Sequence, residues 1–194
     1  MPGFATIIAC GGRAKRFGAD KRHQVLGGES LMDRAVARAL SYGAPVALAV
    51  RGTDWSAIPD LPVLQDPDGN LGPIGALASG FDYARTLGCG HILLIACDQP
   101  FLPTDLSDRL AGAIGDEGVA LPVSNGHDQN MAGLWRCDPE RLQRYIEEGG
   151  RSLRGLAELV GIARVRWEEG VDDPFADIDT PADLVAAQAR ITKQ

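Results

Sequence analysis

The chain has 194 residues, 45% of them apolar and 23% charged, with a formal net charge of −7. That is enough chain for one substantial core, and the negative balance argues against a general nucleic-acid or anionic-membrane binder, because both need diffuse positive potential. No apolar run approaches the roughly 20 residues of a membrane span, and Cys10, Cys89, Cys97 and Cys137 lie too far apart for a zinc pattern or a secreted disulfide framework, so a cytoplasmic protein is expected.

The N-terminus reads directly as a strand, with no charged leader before it and no small-residue cleavage pattern after it. That strand, FATIIAC (4–10), is short, apolar and stopped by two glycines. Residues 30–43 read as a helix with Leu31, Ala35, Ala39 and Leu40 on one face and Gly43 as its stop. Strands follow at 44–50 and 62–66, then a helix over 72–86 with Pro73 in its first turn. GHILLIACD (90–98) is the most continuous apolar strand and is expected at the centre of the sheet. A helix over 102–114 takes Thr104 as its cap, and 118–123 and 130–136 are strand-like. Helices at 138–149 and 151–161, a strand at 162–167 and a helix at 179–190 complete the chain. The last helix begins Asp179-Thr180-Pro181, which supplies both capping chemistry and proline at the first helical position. Strands alternating with helices, joined by short connections, predict one α/β domain over 1–194 with a mostly parallel sheet and helices on both faces.

In open α/β sheets ligands bind beyond the carboxyl ends of the strands. Residues 11–22 follow the first strand at that position. Gly11 and Gly12 let main-chain N–H groups approach an anion, and Arg13, Lys15, Arg16, Lys21 and Arg22 bring cations into a net-acidic chain. The arrangement suits a polyphosphate, although a solvated basic loop has the same composition. It is not a P-loop, because Gly18 is followed by Ala19, nor does it supply the G-x-G-x-x-G of a dinucleotide fold.

The pattern G-G-x-x-x-R-F-G-x-D-K over 11–21 resembles the signature of the MobA-like nucleotidyltransferases, and within them the molybdenum cofactor guanylyltransferases. DPDGNLGPIGAL (66–77), ACDQPFLP (96–103), GGRSLRGLAELVG (149–161) and FADIDTPADL (175–184) fall in the same order and spacing, so the resemblance covers nearly the whole chain. It implies a single Rossmann-like domain that joins GMP from GTP to the terminal phosphate of molybdopterin and releases pyrophosphate. By the same resemblance, Ala9, Cys10, Gly11 and Gly12 contact the nucleotide through their backbone, and Arg16 and Lys21 stabilise the triphosphate and the leaving group. Asp98, with Arg16 and Lys21, makes up the catalytic set and holds Mg²⁺. Asp66 touches the nucleotide, Gly72 and Gly75 lie along its base and ribose, and Arg151 lies toward the pterin. Transient contact with other molybdenum cofactor biosynthesis proteins is a further implication; nucleic acid and membrane are not expected partners.

Read without the family, Asp98 is equally a turn residue before Pro100, and Asp66 a turn residue before Pro67. The chain also departs from the pattern. Ala9-Cys10 stands where the family pattern has Leu-Ala, and Cys10 would set a thiol beside the base. Ala49 stands nearest to where many relatives carry asparagine, so that contact is either missing or replaced by Arg51. No His-Pro follows Asp128, and Asp177 and Asp179 replace two amides of an N-x-N-T-P segment. Asp179 is then either a second metal ligand or only a helix N-cap. Two alternatives stand beside the guanylyl reading: a related transferase using CTP or another phosphorylated acceptor, and a nucleotide-binding protein without catalysis.

Overall fold

The computed structural model describes residues 3–10, 23–51, 60–67, 71–167 and 172–192. Its central sheet runs β10-β7-β9-β6-β1-β4-β5, with β8 paired to β7 alone. The middle strands are β1 (Phe4–Ala9), β4 (Val46–Val50) and β6 (His91–Ala96), flanked on one side by β5 (Val63–Gln65). On the other side lie β7 (Val119–Ser124), β8 (His127–Asp128), β9 (Leu134–Arg136) and β10 (Ile162–Arg166). β1 runs parallel to both β4 and β6, with Ala9 level with Ala49 and with Ala96. These strands are largely apolar, Thr6 and His91 apart, because both faces of the sheet are covered.

Helices α2 (Pro73–Thr86), α4 (Pro139–Glu147) and α5 (Leu153–Val160) cover one face, joining Ile7, Leu94, Phe81, Trp135, Leu142 and Leu156 in one core. Helices α1 (Leu31–Ser41) and α3 (Leu106–Ala113) cover the other, where Ile8, Leu48, Ile95, Met32, Leu106 and Phe175 meet. A satellite cluster of Leu26, Leu31, Ile178 and Ala187 fastens the last helix, α6 (Pro181–Thr192).

The expected elements are present, with local corrections. In α1 the buried face is Leu31, Met32, Ala35, Val36 and Ala39, and Leu40 is exposed. Gly43 has φ +68°, as a helix stop in the left-handed region requires. Helix α3 begins at Leu106 with no side-chain cap, later than the expected start at 102. Tyr42 Oη–H donates to Pro103 O at 2.9 Å and Leu102 is buried, so the preceding residues are held as turns. The expected strand over 130–136 is a 3₁₀ turn at Asn130–Ala132 followed by β9, which lies antiparallel between β6 and β7. Asn125 and Gly126, with φ +48° and +76°, reverse the chain ahead of it. A small hairpin was not expected: β2 (Val25–Leu26) and β3 (Glu29–Ser30) pair antiparallel around Gly27 and Gly28.

The cap of α6 is Thr180 rather than Asp179. Asp183 N–H donates to Thr180 Oγ1 at 3.2 Å, while the Asp183 carboxylate accepts the N–H groups of Asp179 and Thr180 at 3.0 and 2.7 Å. This is a reciprocal capping box. Thr180→Ala should cost about 1 kcal/mol in urea denaturation. Asp183→Ala should cost a similar amount, and the double variant should lose less than the sum because both act on one motif.

Candidate active site

The parallel register brings four chain segments to one edge of the sheet. Beyond the carboxyl ends of β6, β1, β4 and β5 stand, in lateral order, Asp98, Cys10, Arg51 and Asp66. Cys10 N–H donates to Ala49 O at 2.8 Å and Asp66 N–H to Val50 O at 2.9 Å, so the strand ladder continues into these residues. Three strand spacings of ~4.8 Å separate the Asp98 position from the Asp66 position, roughly 14 Å, a span that suits a nucleotide laid across the edge.

Gly11, Gly12, Arg16 and Lys21 lie outside the described residues, together with Arg13, Lys15 and Arg22. What is described is the point at which that segment leaves the sheet. Ala9 is level with Ala96, two residues before Asp98, so β1 and β6 end at the same edge of the sheet. The Cys10 thiol turns inward instead of toward a ligand: it is buried under α1, donates to Ile8 O at 3.3 Å and lies 4.0 Å from Met32 Sδ. Ala49 is fully buried in the sheet.

Asp98 is half-buried, and its carbonyl accepts the N–H of Ile178 at 2.9 Å. That bond lays the segment before α6 across the end of β6. Ile178 points into the satellite core, leaving Asp177 exposed and Asp179 half-buried on either side of it. Gln99, buried behind Asp98, donates from Nε2 to Phe175 O at 3.1 Å. Among the described residues no group of three or more His, Cys, Asp or Glu side chains forms a metal cage. Mg²⁺ does not need one, since it is commonly held by one or two carboxylates with water and substrate phosphates completing the shell. The hard oxygen donors Asp98 and Asp179, brought to one edge through Ile178, fit that requirement.

At the far end of the edge Asp66 is only 6% exposed. Its carboxylate faces Arg51 Nε at 3.5 Å and Ser79 Oγ at 3.5 Å. A Cβ on Gly75 would come within 3.2 Å of its carboxyl group, so the bare side of Gly75 is the seat of Asp66 itself. Gly72 opens α2 with φ +64°, a conformation side chains resist, and Pro73 follows at the first helical position. Arg51 Nη2 and the carbonyl of Arg151 both lie within 4 Å of where a Gly72 Cβ would be. The Arg151 guanidinium turns away and donates to Ile146 O and Gly150 O at 2.8 and 2.7 Å, closing the end of α4. The Arg51–Asp66 pair and the support of Gln99 carry no signal in the sequence beyond the departure at Ala49 and Arg51.

Burial raises the Asp66 carboxyl above its ordinary 3.8, and Arg51 and Ser79 pull it back only in part. With the folded value above the unfolded one, the group's favourable contribution is complete below pH 3.8 and is lost as pH rises through the raised value. Asp66→Asn removes that loss. Its urea midpoint, relative to the parent, should therefore climb between acid and neutral pH; a pH-independent gap would contradict this account.

Comparison with known proteins identifies the family and the fold. The chain is 35% identical over 190 residues to a Rhodobacter capsulatus protein named molybdenum cofactor guanylyltransferase, covering 97% of this chain and 96% of that one. A Rhizobium leguminosarum protein of the same name is 31% identical over 198 residues, covering 95% and 91%. Among solved structures, molybdopterin-guanine dinucleotide biosynthesis protein A from Archaeoglobus fulgidus superposes with a TM-score of 0.79 at 18% identity, covering 98% of this chain and 100% of that one. The 4-diphosphocytidyl-2C-methyl-D-erythritol synthase of Anaerococcus prevotii gives 0.73 at 12% identity, covering 97% and 96%, and both likenesses speak to the fold alone. The MobA-like NTP transferase domain matches residues 6–163, and the chain belongs to that family.

Proposed function

We propose that this protein is a Mg²⁺-dependent guanylyltransferase that joins GMP from GTP to the terminal phosphate of molybdopterin. The observation that carries the reading is the shared edge: β1 ends at Ala9 level with Ala96 of its parallel neighbour β6, two residues before Asp98. An oxygen of the acceptor phosphate attacks the α-phosphorus in line. The bond from that phosphorus to the bridging oxygen of the β-phosphate breaks, and pyrophosphate departs with the electron pair.

The chain's task is positioning and charge compensation. Backbone groups of Ala9, Cys10, Gly11 and Gly12 hold the nucleotide. Arg16 grips phosphate oxygens with its fork of donors, and Lys21 supplies a point charge to the leaving group. Asp66 and Gly72 form the wall along base and ribose; Gly75, expected there too, instead gives the Asp66 carboxyl its seat. Asp98 would hold the metal, with Asp179 as its second carboxylate, and Mg²⁺ bound there would supply charge compensation to the phosphates. The reaction takes place in the cytoplasm on small molecules, apart from nucleic acid and membrane, with transient contact to other proteins of the same biosynthesis. No helix among the described residues is long and apolar enough to cross a membrane.

A second reading keeps the chemistry and changes the donor to CTP or the acceptor to another phosphorylated compound. The acids Asp177 and Asp179, flanking Ile178 at the catalytic edge, favour keeping it in view. Labelled GTP with Mg²⁺ and molybdopterin should yield a dinucleotide and pyrophosphate, with CTP competing weakly; turnover with CTP alone would overturn the first reading. Lys21→Ala should raise the KM for GTP. Asp98→Ala should lower Mg²⁺-dependent turnover by ~10²-fold or more, the scale of removing one electrostatic stabiliser. Parental rates in both variants would place the chemistry elsewhere.

A further inference from the structure

The segment 172–180 carries none of the regular structure that precedes or follows it, yet it is fastened at every stage. Asp173 is the knot. Its Oδ1 accepts Ser124 Oγ–H at 2.7 Å and Phe175 N–H at 2.9 Å, and its Oδ2 accepts from Asn125 Nδ2 at 3.3 Å. Its carbonyl accepts Arg190 Nη1–H at 2.9 Å. One residue therefore ties the carboxyl end of β7, the turn after it, the strap and α6 together. Beyond the knot Phe175 is buried, edge-on to Trp167 at 5.3 Å, and its carbonyl is held by Gln99. Three residues later Ile178 N–H meets Asp98 O.

We propose that Asp173 is a positioning residue for the transfer reaction: it fixes the strap whose Ile178 amide sets the end of β6, and so aims Asp98 and Asp179. This rests on the function proposed above. Charge alone would not achieve the aim, because Asp98 stands past the last paired residue of β6 and its local backbone is held from outside the strand. A carboxylate with two oxygens can accept from Ser124, Asn125 and Phe175 together; an amide keeps the Oδ1 contacts and an alanine keeps none.

The test combines amide hydrogen exchange with kinetics on the full chain. In Asp173→Ala, exchange over residues 174–180 should speed up by about tenfold or more while β1 and β4 stay protected. Turnover should fall by roughly 10- to 100-fold, the scale of slight misplacement, with the KM for GTP within about twofold of the parent. Asp173→Asn should recover most of both. Ser124→Ala provides a second route to the same loosening if the alanine variant folds poorly. Arg136→Ala is the control for stability loss alone: its guanidinium holds Gly115 O and Glu117 O at the opposite edge of the sheet, and its turnover should be unchanged. Faster strap exchange with full turnover, or unchanged exchange in both Asp173 variants, would overturn the proposal. Absence of transfer in the parent would instead defeat the assigned function, while the exchange result would still decide whether Asp173 holds the strap.

Discussion

The hydrogen bond from Ile178 N–H to Asp98 O, 2.9 Å long, is the contact on which the catalytic edge depends. A strand's hydrogen-bond ladder fixes residues only as far as pairing continues, and β6 pairs with β1 through Ala96. Asp98 lies past that limit. Its backbone is defined because a distant part of the chain returns to it, and that return is secured by burial of Ile178 and Phe175 in two separate cores. The site is thus assembled from a local element and a contact some 80 residues away in sequence. Ordering such a segment costs backbone entropy, and the two buried apolar side chains and the Asp173 hydrogen bonds offset part of it.

The other end of the edge obeys a different balance. Asp66 is nearly buried, and burial disfavours its charge more than its partners restore it. Gly75, in the opening turn of α2, leaves room for the carboxyl group. A larger residue at 75 would push Asp66 and Arg51 apart, so small residues here serve an electrostatic arrangement as well as helix packing.

The layered α/β fold was legible because its signals are local. Apolar runs marked β1, β4 and β6, the first of them stopped by two glycines, and proline and capping residues marked α2 and α6. The Val25–Ser30 hairpin was readable in principle, since two glycines between short strand-like pairs are a hairpin signal, but its strands are too short for periodicity to register. β9 was placed but its direction was not, because an antiparallel insertion depends on the turn at Asn125 and Gly126 rather than on its own residues. At the site, Asp98 and Asp66 could be singled out by motif. The inward turn of Cys10, the Arg51–Asp66 pair and the role of Asp173 could not, since each depends on which residues meet across the fold. Asp173 had a faint signal, an acid just ahead of the recognised FADIDTPADL segment.

The outer strands of the sheet carry a consequence for colloidal behaviour. β5 offers an incoming extended chain only three residues, and β10 bears Arg164 and Arg166 on its exposed positions. Arg164 is further held by Asp128 in a two-pronged ion pair at 2.8–3.2 Å. A foreign strand seeking to extend the sheet would meet either a template too brief to align it or guanidinium groups that must shed water. By these means the protein keeps an eight-stranded sheet from acting as a seed for fibres.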